Sequence, residues 1–254
     1  MTIRYAISDT AVMTGRVLKQ MLRSVDTIIT VLIMPVMMLL AMRYVFGGAM
    51  DLGGIGTADY MLPGIFLYCV ISGVAYVAWR INSDVQKGIF ERFHSMPIAK
   101  SSILGGHVLV SVITNALSVA ALVLVGLLIG FRPQADLAEW LLAAAVILLF
   151  TVAMTWVSVF FGLSASSSEA SGVFSYLLMG LGFVSSAFVP VASMPAALAA
   201  FASYQPMTPI ANCLRQLLLG EPAGGDLWLA IAWCVAIAAL FWALSLGAYK
   251  RRMR

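Results

Sequence analysis

Charge is what this chain lacks most. Only 10% of its 254 residues are charged, where a soluble domain carries about a quarter. Acids are the rarer sign, with 11 Asp and Glu beside 15 Lys and Arg. A soluble globular domain is therefore excluded first. Each of the four lysines follows Leu18, Gln86, Ala99 or Tyr249, so the chain has no Gly-Lys pair. A P-loop requires one, which rules out nucleotide hydrolysis by that route. His94 and His107 have no Cys, Asp or Glu at metal-like spacing, and no metal site is expected. His-Glu-x-x-His and Gly-x-Ser-x-Gly are both missing. The long apolar runs hold essentially no acid, with Asp26 and Glu169 at their ends. That weakens proton-coupled carriage and membrane-embedded catalysis alike. Cys69, Cys213 and Cys234 are odd in number and far apart, so neither a disulfide framework nor a zinc spacing is suggested.

What is present is apolar length. Hydrophobic residues make up 62% of the chain, and the mean hydropathy is +0.99. A helix needs about 20 apolar residues to cross a bilayer. Six segments qualify: Thr27–Phe46, Tyr60–Trp79, Ile103–Ile129, Leu141–Leu163, Ser171–Val189 and Leu227–Tyr249. Each is expected to be helical, because unpaired backbone groups are costly in lipid. The expected fold is all-α and polytopic, a single transmembrane domain over residues 1–254. The first apolar run is too long for a signal peptide and is preceded by Arg4, Arg16, Lys19 and Arg23.

Basic residues orient such a protein. Arg4, Arg16, Lys19 and Arg23 precede the first span. Arg80, Lys87, Arg92 and Lys100 follow the second. Lys250, Arg251, Arg252 and Arg254 end the chain. Twelve of the fifteen cations thus fall on one side, leaving Arg43, Arg132 and Arg215 for the other. The rich side is expected to be cytoplasmic, with both termini there. Before Thr27, Ile3, Ile7, Val12, Val17, Leu18 and Leu22 alternate with Arg16, Lys19 and Arg23. This predicts a basic amphipathic helix over residues 1–25, lying on the membrane surface.

Residues 190–220 contain Pro190, Pro195, Pro206 and Pro209 and one charge, Arg215. A further span there would carry the C-terminal cations outside, so a pair of short helices on the outer side is expected instead. Ser193 and Thr208 are placed to cap them, with prolines in the first turns, and Gly220 to end the second. A gate or lid dipping into the membrane and a plain surface loop both fit.

Two polar stripes run along the spans at helical spacing. One holds His107, Ser111, Thr114, Asn115 and Ser118, the other Thr151, Thr155, Ser158 and Gly162. A translocation path lined by hydroxyl groups is one reading. Packing of small and hydroxyl residues where membrane helices touch is the other. A path predicts that Asn115→Leu or Ser158→Leu changes substrate choice more than stability. Met34, Pro35, Met37 and Met38 in the first span fit an adaptable lining or ordinary core filling.

The loop after the second span, residues 82–97, is the most charged stretch between spans. Asn82 or Ser83 can cap a helix starting near Asp84, with Val85, Ile89 and Phe93 on one face and Asp84, Lys87 and Glu91 on another. Pro97 is expected to stop it. Such a helix is either a connector resting on lipid headgroups or a peg for the groove of a soluble partner.

The run Gly88-Ile-Phe-Glu-Arg-Phe-His-Ser-Met-Pro-Ile-Ala-Lys-Ser-Ser-Ile-Leu-Gly-Gly-His107 resembles the same loop of ABC exporter permeases of the daunorubicin-resistance class. So does Met194-Pro through Gln205-Pro-Met-Thr-Pro209, followed by Leu214-Arg-Gln-Leu-Leu-Leu-Gly220. Gln205-Pro206 stands where Asn-Pro is usual in that family. The resemblance covers essentially the whole chain. It implies a membrane half-transporter that pairs with an identical or related permease and binds two separate ABC ATPase subunits, which hold the ATP and Mg. It implies that Asp84, Lys87, Ile89, Phe90, Glu91, Arg92, Phe93 and His94 form the coupling helix. The N-terminal helix, with Arg16, Lys19 and Arg23, becomes a second contact at the membrane surface. Asn115, Ser111, Ser118, Thr151, Thr155 and Ser158 become candidates for the path. No catalytic, cofactor or metal residue is expected on this chain, and no nucleic acid as partner. The expected location is the inner or plasma membrane of a prokaryote. The expected activity is outward movement of a drug-like or lipid-like amphipathic molecule. Polysaccharide or glycolipid export is the alternative. A lipid-modifying enzyme and a passive channel or scaffold are the remaining function classes.

Overall fold

A computed structural model describes residues 3–47, 56–94 and 100–252. Among these the secondary structure is helical throughout. Helix α1 is Ile3–Leu22 and α2 is Val25–Phe46. The next are α3, Thr57–Gln86, α4, Ile89–His94, and α5, Lys100–Leu128. Then come α6, Leu137–Ser164, and α7, Ser168–Phe183. The last three are α8, Ala196–Tyr204, α9, Met207–Leu218, and α10, Gly224–Arg252.

Five helices, α2, α3, α5, α6 and α10, are long and apolar enough to cross a membrane. The run read as the fifth span is shorter than expected. Its helix α7 stops at Phe183, and Ser185 and Ser186 leave the helix to bond elsewhere. At 1.5 Å per residue its 16 residues reach about 24 Å, short of the roughly 30 Å hydrocarbon layer.

Helix α3 is the axis of the molecule. It is buried along most of its length and packs against α5, α6 and α7, while α10 lies on α6. The close crossing of α3 and α6 requires Gly162, because a Cβ there would sit 2.8 Å from the Ala78 carbonyl oxygen and 2.9 Å from Ile81 Cβ. Helix α6 starts with a capping box: Glu139 N donates to Asp136 Oδ1, and Asp136 N to Glu139 Oε2. Helix α2 begins at the Ser24 cap and contains two π-helical stretches, Ile29–Ile33 and Met42–Phe46. The three cysteines are free and buried.

The amphipathic N-terminal helix lies along α5, where Gly106 lets Met13 approach closely. Met13 and Val17 are buried, and Lys19 and Arg23 stay exposed. Arg16 departs from expectation. It turns inward and Nη2 donates to Asp84 Oδ2 at 3.3 Å, so it bonds within the protein rather than to the membrane surface.

Candidate functional site

The loop after the second span, residues 82–97, divides differently from its sequence pattern. Asn82 caps nothing. It lies within α3, fully buried, and its Nδ2 donates to the carbonyls of Gly162 and Ala165 at 3.0 and 2.8 Å. Gln86 Nε2 donates to the Ser166 carbonyl at 2.9 Å. These bonds fasten α3 to the loop between α6 and α7, and α3 runs on to Gln86 as a result. The break falls at Lys87–Gly88, where Gly88 takes φ +67°, a left-handed conformation that glycine adopts without strain.

The separate helix is therefore α4, six residues long. Asp84 is not on it. That carboxylate is buried beneath α1, with His107 Nε2 3.7 Å away, and is out of reach of a docking partner. Lys87 is exposed at the break. The change of direction rephases the apolar face. Phe90 is the side chain that points inward, at 1% exposure, where Val85, Ile89 and Phe93 were expected to form one stripe. It enters a cluster made by Val77 and Ile81 of α3, Ile103 and Leu104 of α5, Val159 and Leu163 of α6, and Ala248 of α10. The Tyr249 ring lies 6.4 Å from it. Ile89 is half-buried, and Glu91 and Arg92 are exposed on the opposite side. The stop assigned to Pro97 and the side chains of Phe93 and His94 lie outside the described residues. A short charged helix is thus seated by one aromatic on the shared ends of four long helices.

Arg80 lies beside this seat. Its Nη2 donates to the Tyr76 hydroxyl at 2.6 Å, while Nε and Nη1 have no hydrogen-bond partner among the described residues. The sequence showed it only as one of the loop cations.

The opposite end carries a second device. Arg215 of α9 is buried, and its Nε donates to the Tyr60 carbonyl at 3.1 Å. Nη1 donates to Asn212 Oδ1 at 3.0 Å and Nη2 to the Ser186 carbonyl at 2.7 Å. The guanidinium also sits 3.9 Å from the centre of the Tyr60 ring, within cation–π range. Ser186 returns two bonds, its N donating to Thr208 Oγ1 and its Oγ to Asn212 Oδ1. Thr208 therefore anchors the end of α7 rather than capping α9. Gln205, the departure from the family pattern, donates through Nε2 to the Leu181 and Val184 carbonyls. Gly220, at φ +72°, ends α9 as its position suggested. Helix α9 is buried on most of its surface, which removes the plain surface loop as its description. Helix α8 is largely exposed.

The two polar stripes meet each other. Ser111 Oγ and Thr155 Oγ1 are 2.7 Å apart, and Ser158 Oγ donates to the Val74 carbonyl at 2.6 Å. Thr155 and Thr151 bond back to their own helix, and Asn115 Nδ2 donates to the Ser111 carbonyl. Asn115 packs against Gly73. Asn115, Ser111, Ser118, Thr151, Thr155 and Ser158 are all buried in the seam of α3, α5 and α6. In this single chain they face neighbouring helices, as the packing reading expects.

Comparison with known proteins follows the same division of the chain. A profile of the ABC-2 type transporter family matches residues 8–219, from the second turn of α1 to the end of α9. The chain belongs to the ABC-2 type transporter family. It is 29% identical over 226 residues to the daunorubicin resistance ABC transporter permease protein DrrB1 of Streptomyces coeruleorubidus, covering 89% of this chain and 80% of the relative. It is 22% identical over 245 residues to the probable doxorubicin resistance ABC transporter permease protein DrrC of Mycobacterium tuberculosis, covering 93% and 86%.

In this ABC-2 chain, the α4 seat and the Arg215 staple both fall inside the matched region, while α10 falls outside it. The buried stripes change what substitution should do there. Ser158→Leu is expected to lower thermal stability by about 1–3 kcal/mol, since extra methylenes must enter a filled seam. Asn115→Leu is expected to lose stability as well, through its Ser111 bond and the Gly73 contact. Thermal unfolding in detergent checks both. A changed substrate profile at wild-type melting temperature would restore the path.

Proposed function

We propose that this ABC-2 permease is the membrane subunit of an ATP-driven exporter, moving an amphipathic molecule outward with energy from a separate ABC ATPase. The observation that carries the proposal is α4. It is anchored by Phe90 to the ends of α3, α5, α6 and α10 and presents Glu91 and Arg92 outward. A rigid element of this kind converts a push by a soluble partner into rigid-body motion of the helices beneath it.

On this reading α7 is the fifth of six crossings, completed by the segment after Phe183, and both termini face the cytoplasm. The placement of twelve cations supports it. Two permease copies, identical or related, and two ATPase copies make the working complex, with ATP and Mg held by the ATPases. Lys87, Glu91 and Arg92 are the contact residues on this chain. Lys19 and Arg23 of α1 rest at the membrane surface. The names of the relatives concern resistance to daunorubicin and doxorubicin, which supports a drug-like substrate. Polysaccharide or glycolipid remains the second substrate class.

The test is retention of the ATPase on tagged permease. Glu91→Ala with Arg92→Ala is expected to lower the retained ATPase by about ten-fold, roughly 1.4 kcal/mol, with an unchanged melting temperature. Full retention would remove α4 from the contact.

A further inference from the structure

The ends of α6 and α10 leave a cleft of about 410 Å³ between them, lined by Phe160, Leu163, Ser164, Ala248, Arg251 and Arg252. Its floor is apolar, with Leu163 and Ala248 buried. Its mouth is cationic. Arg251 and Arg252 are exposed, with the Arg252 Nη1 donating to the Leu163 carbonyl at 3.5 Å. Among the described residues no carboxylate lines the cleft. Exposed Lys250 continues the basic run, and exposed Trp242, Leu244 and Leu246 lie further back along α10.

An apolar slot between two membrane-crossing helices, with guanidinium groups at one end, matches one kind of molecule. A lipid tail fills the slot, and a headgroup phosphate meets the arginines. Guanidinium pairs with phosphate through two parallel N–H bonds, which a choline headgroup offsets with its own cation. Basic pockets between helix ends at the membrane surface select anionic headgroups in this way.

We propose that this cleft binds one anionic phospholipid, with its acyl chain along Phe160, Leu163 and Ala248 and its phosphate on Arg251 and Arg252. The site needs only that α6 and α10 cross the bilayer, whichever side their ends face. It stands apart from the ATPase contact but shares a wall with it. Leu163 and Ala248 belong to the same cluster that receives Phe90. A lipid in the cleft therefore braces the surface on which α4 sits.

The full chain is reconstituted in phosphatidylcholine nanodiscs containing a minor fraction of phosphatidylglycerol, then released and weighed intact by native mass spectrometry. The wild type is expected to retain one phosphatidylglycerol in preference to phosphatidylcholine. Arg251→Gln with Arg252→Gln is expected to lower that retention about thirty-fold, the usual effect of two basic charges beside an anionic surface. Ser164→Trp, which blocks the slot and keeps both charges, is expected to abolish it. Lys250→Gln, outside the lining, is expected to leave it within two-fold or so. Equal retention of the two lipids overturns the site. So does retention in the double arginine variant, or an equal loss with Lys250→Gln, which would mean a diffuse basic surface. If the arginine variant loses the ATPase and keeps the lipid, the cations serve a protein partner and the lipid site is rejected. None of these outcomes depends on whether the protein exports.

Discussion

Phe90→Ala is expected to uncouple the complex while leaving the permease folded and inserted. Truncating a fully buried phenylalanine removes about 3–5 kcal/mol. Elsewhere in the protein that loss would be spread over a cooperative core. Here it falls on a six-residue helix, and a helix that short has little stability of its own. Among the described side chains of that helix, Phe90 is the fully buried one. A loss of 3 kcal/mol lowers the ratio of seated to unseated α4 by about 150-fold. The measurement is substrate-stimulated ATPase activity of the reconstituted complex, with the melting temperature of the permease as control. Stimulation should fall at least ten-fold, with a melting temperature within a few degrees of wild type. Phe90→Leu keeps most of the volume and should retain much of the activity. If Phe90→Ala supports normal stimulated hydrolysis, α4 does not transmit force through that seat.

The second large effect is expected at Arg215. Arg215→Ala removes three donors, to the Tyr60 and Ser186 carbonyls and to Asn212 Oδ1, together with the stacking on the Tyr60 ring. A hydrogen bond to a charged group contributes about 1.5–3 kcal/mol, so losing the set is a large effect. The loss falls where α9 joins α3 to the end of α7, so α9 should loosen from both. Arg215→Lys is expected to rescue little, because a single ammonium does not reproduce a planar fork that reaches three acceptors. Thermal unfolding in detergent and protease sensitivity between α7 and α9 measure the change. Wild-type melting with Arg215→Ala would mean that α9 is held by its apolar contacts alone.

The long apolar runs were legible because crossing a bilayer is a demand on local composition, and α2, α3, α5, α6 and α10 answer it. The inner end of α3 was not. Asn82 and Ser83 look like helix caps when only neighbours in sequence are considered. Asn82 instead finds its acceptors at Gly162 and Ala165, some eighty residues on, and the helix continues through the expected cap. That continuation moves Asp84 into the interior and hands the apolar contact to Phe90. The polar stripes show the same limit. Their spacing was visible, but that Ser111 would meet Thr155 across α5 and α6 was not, since periodicity names a face and not what covers it. Arg215 was visible only as a lone outer cation, because nothing local to it announces a Tyr60 ring and a turn after α7 as partners.

Helix α3 is held at both of its ends. Near its start Tyr60 is gripped by Arg215, and near its end Asn82 and the residues around Phe90 bind it to three other helices. Thirty residues of helix make a rod about 45 Å long. A rod clamped at both ends behaves as a lever. Tilting it by about 5° at the α4 end carries the other end through roughly 4 Å at that length. A displacement of that size at Tyr60 is delivered directly to the Ser186 turn and to α9. If α4 receives the push of an ATPase as proposed, a stroke at one end of α3 would arrive as a displacement at the other, with no need for any residue in between to bind, ionise or unfold.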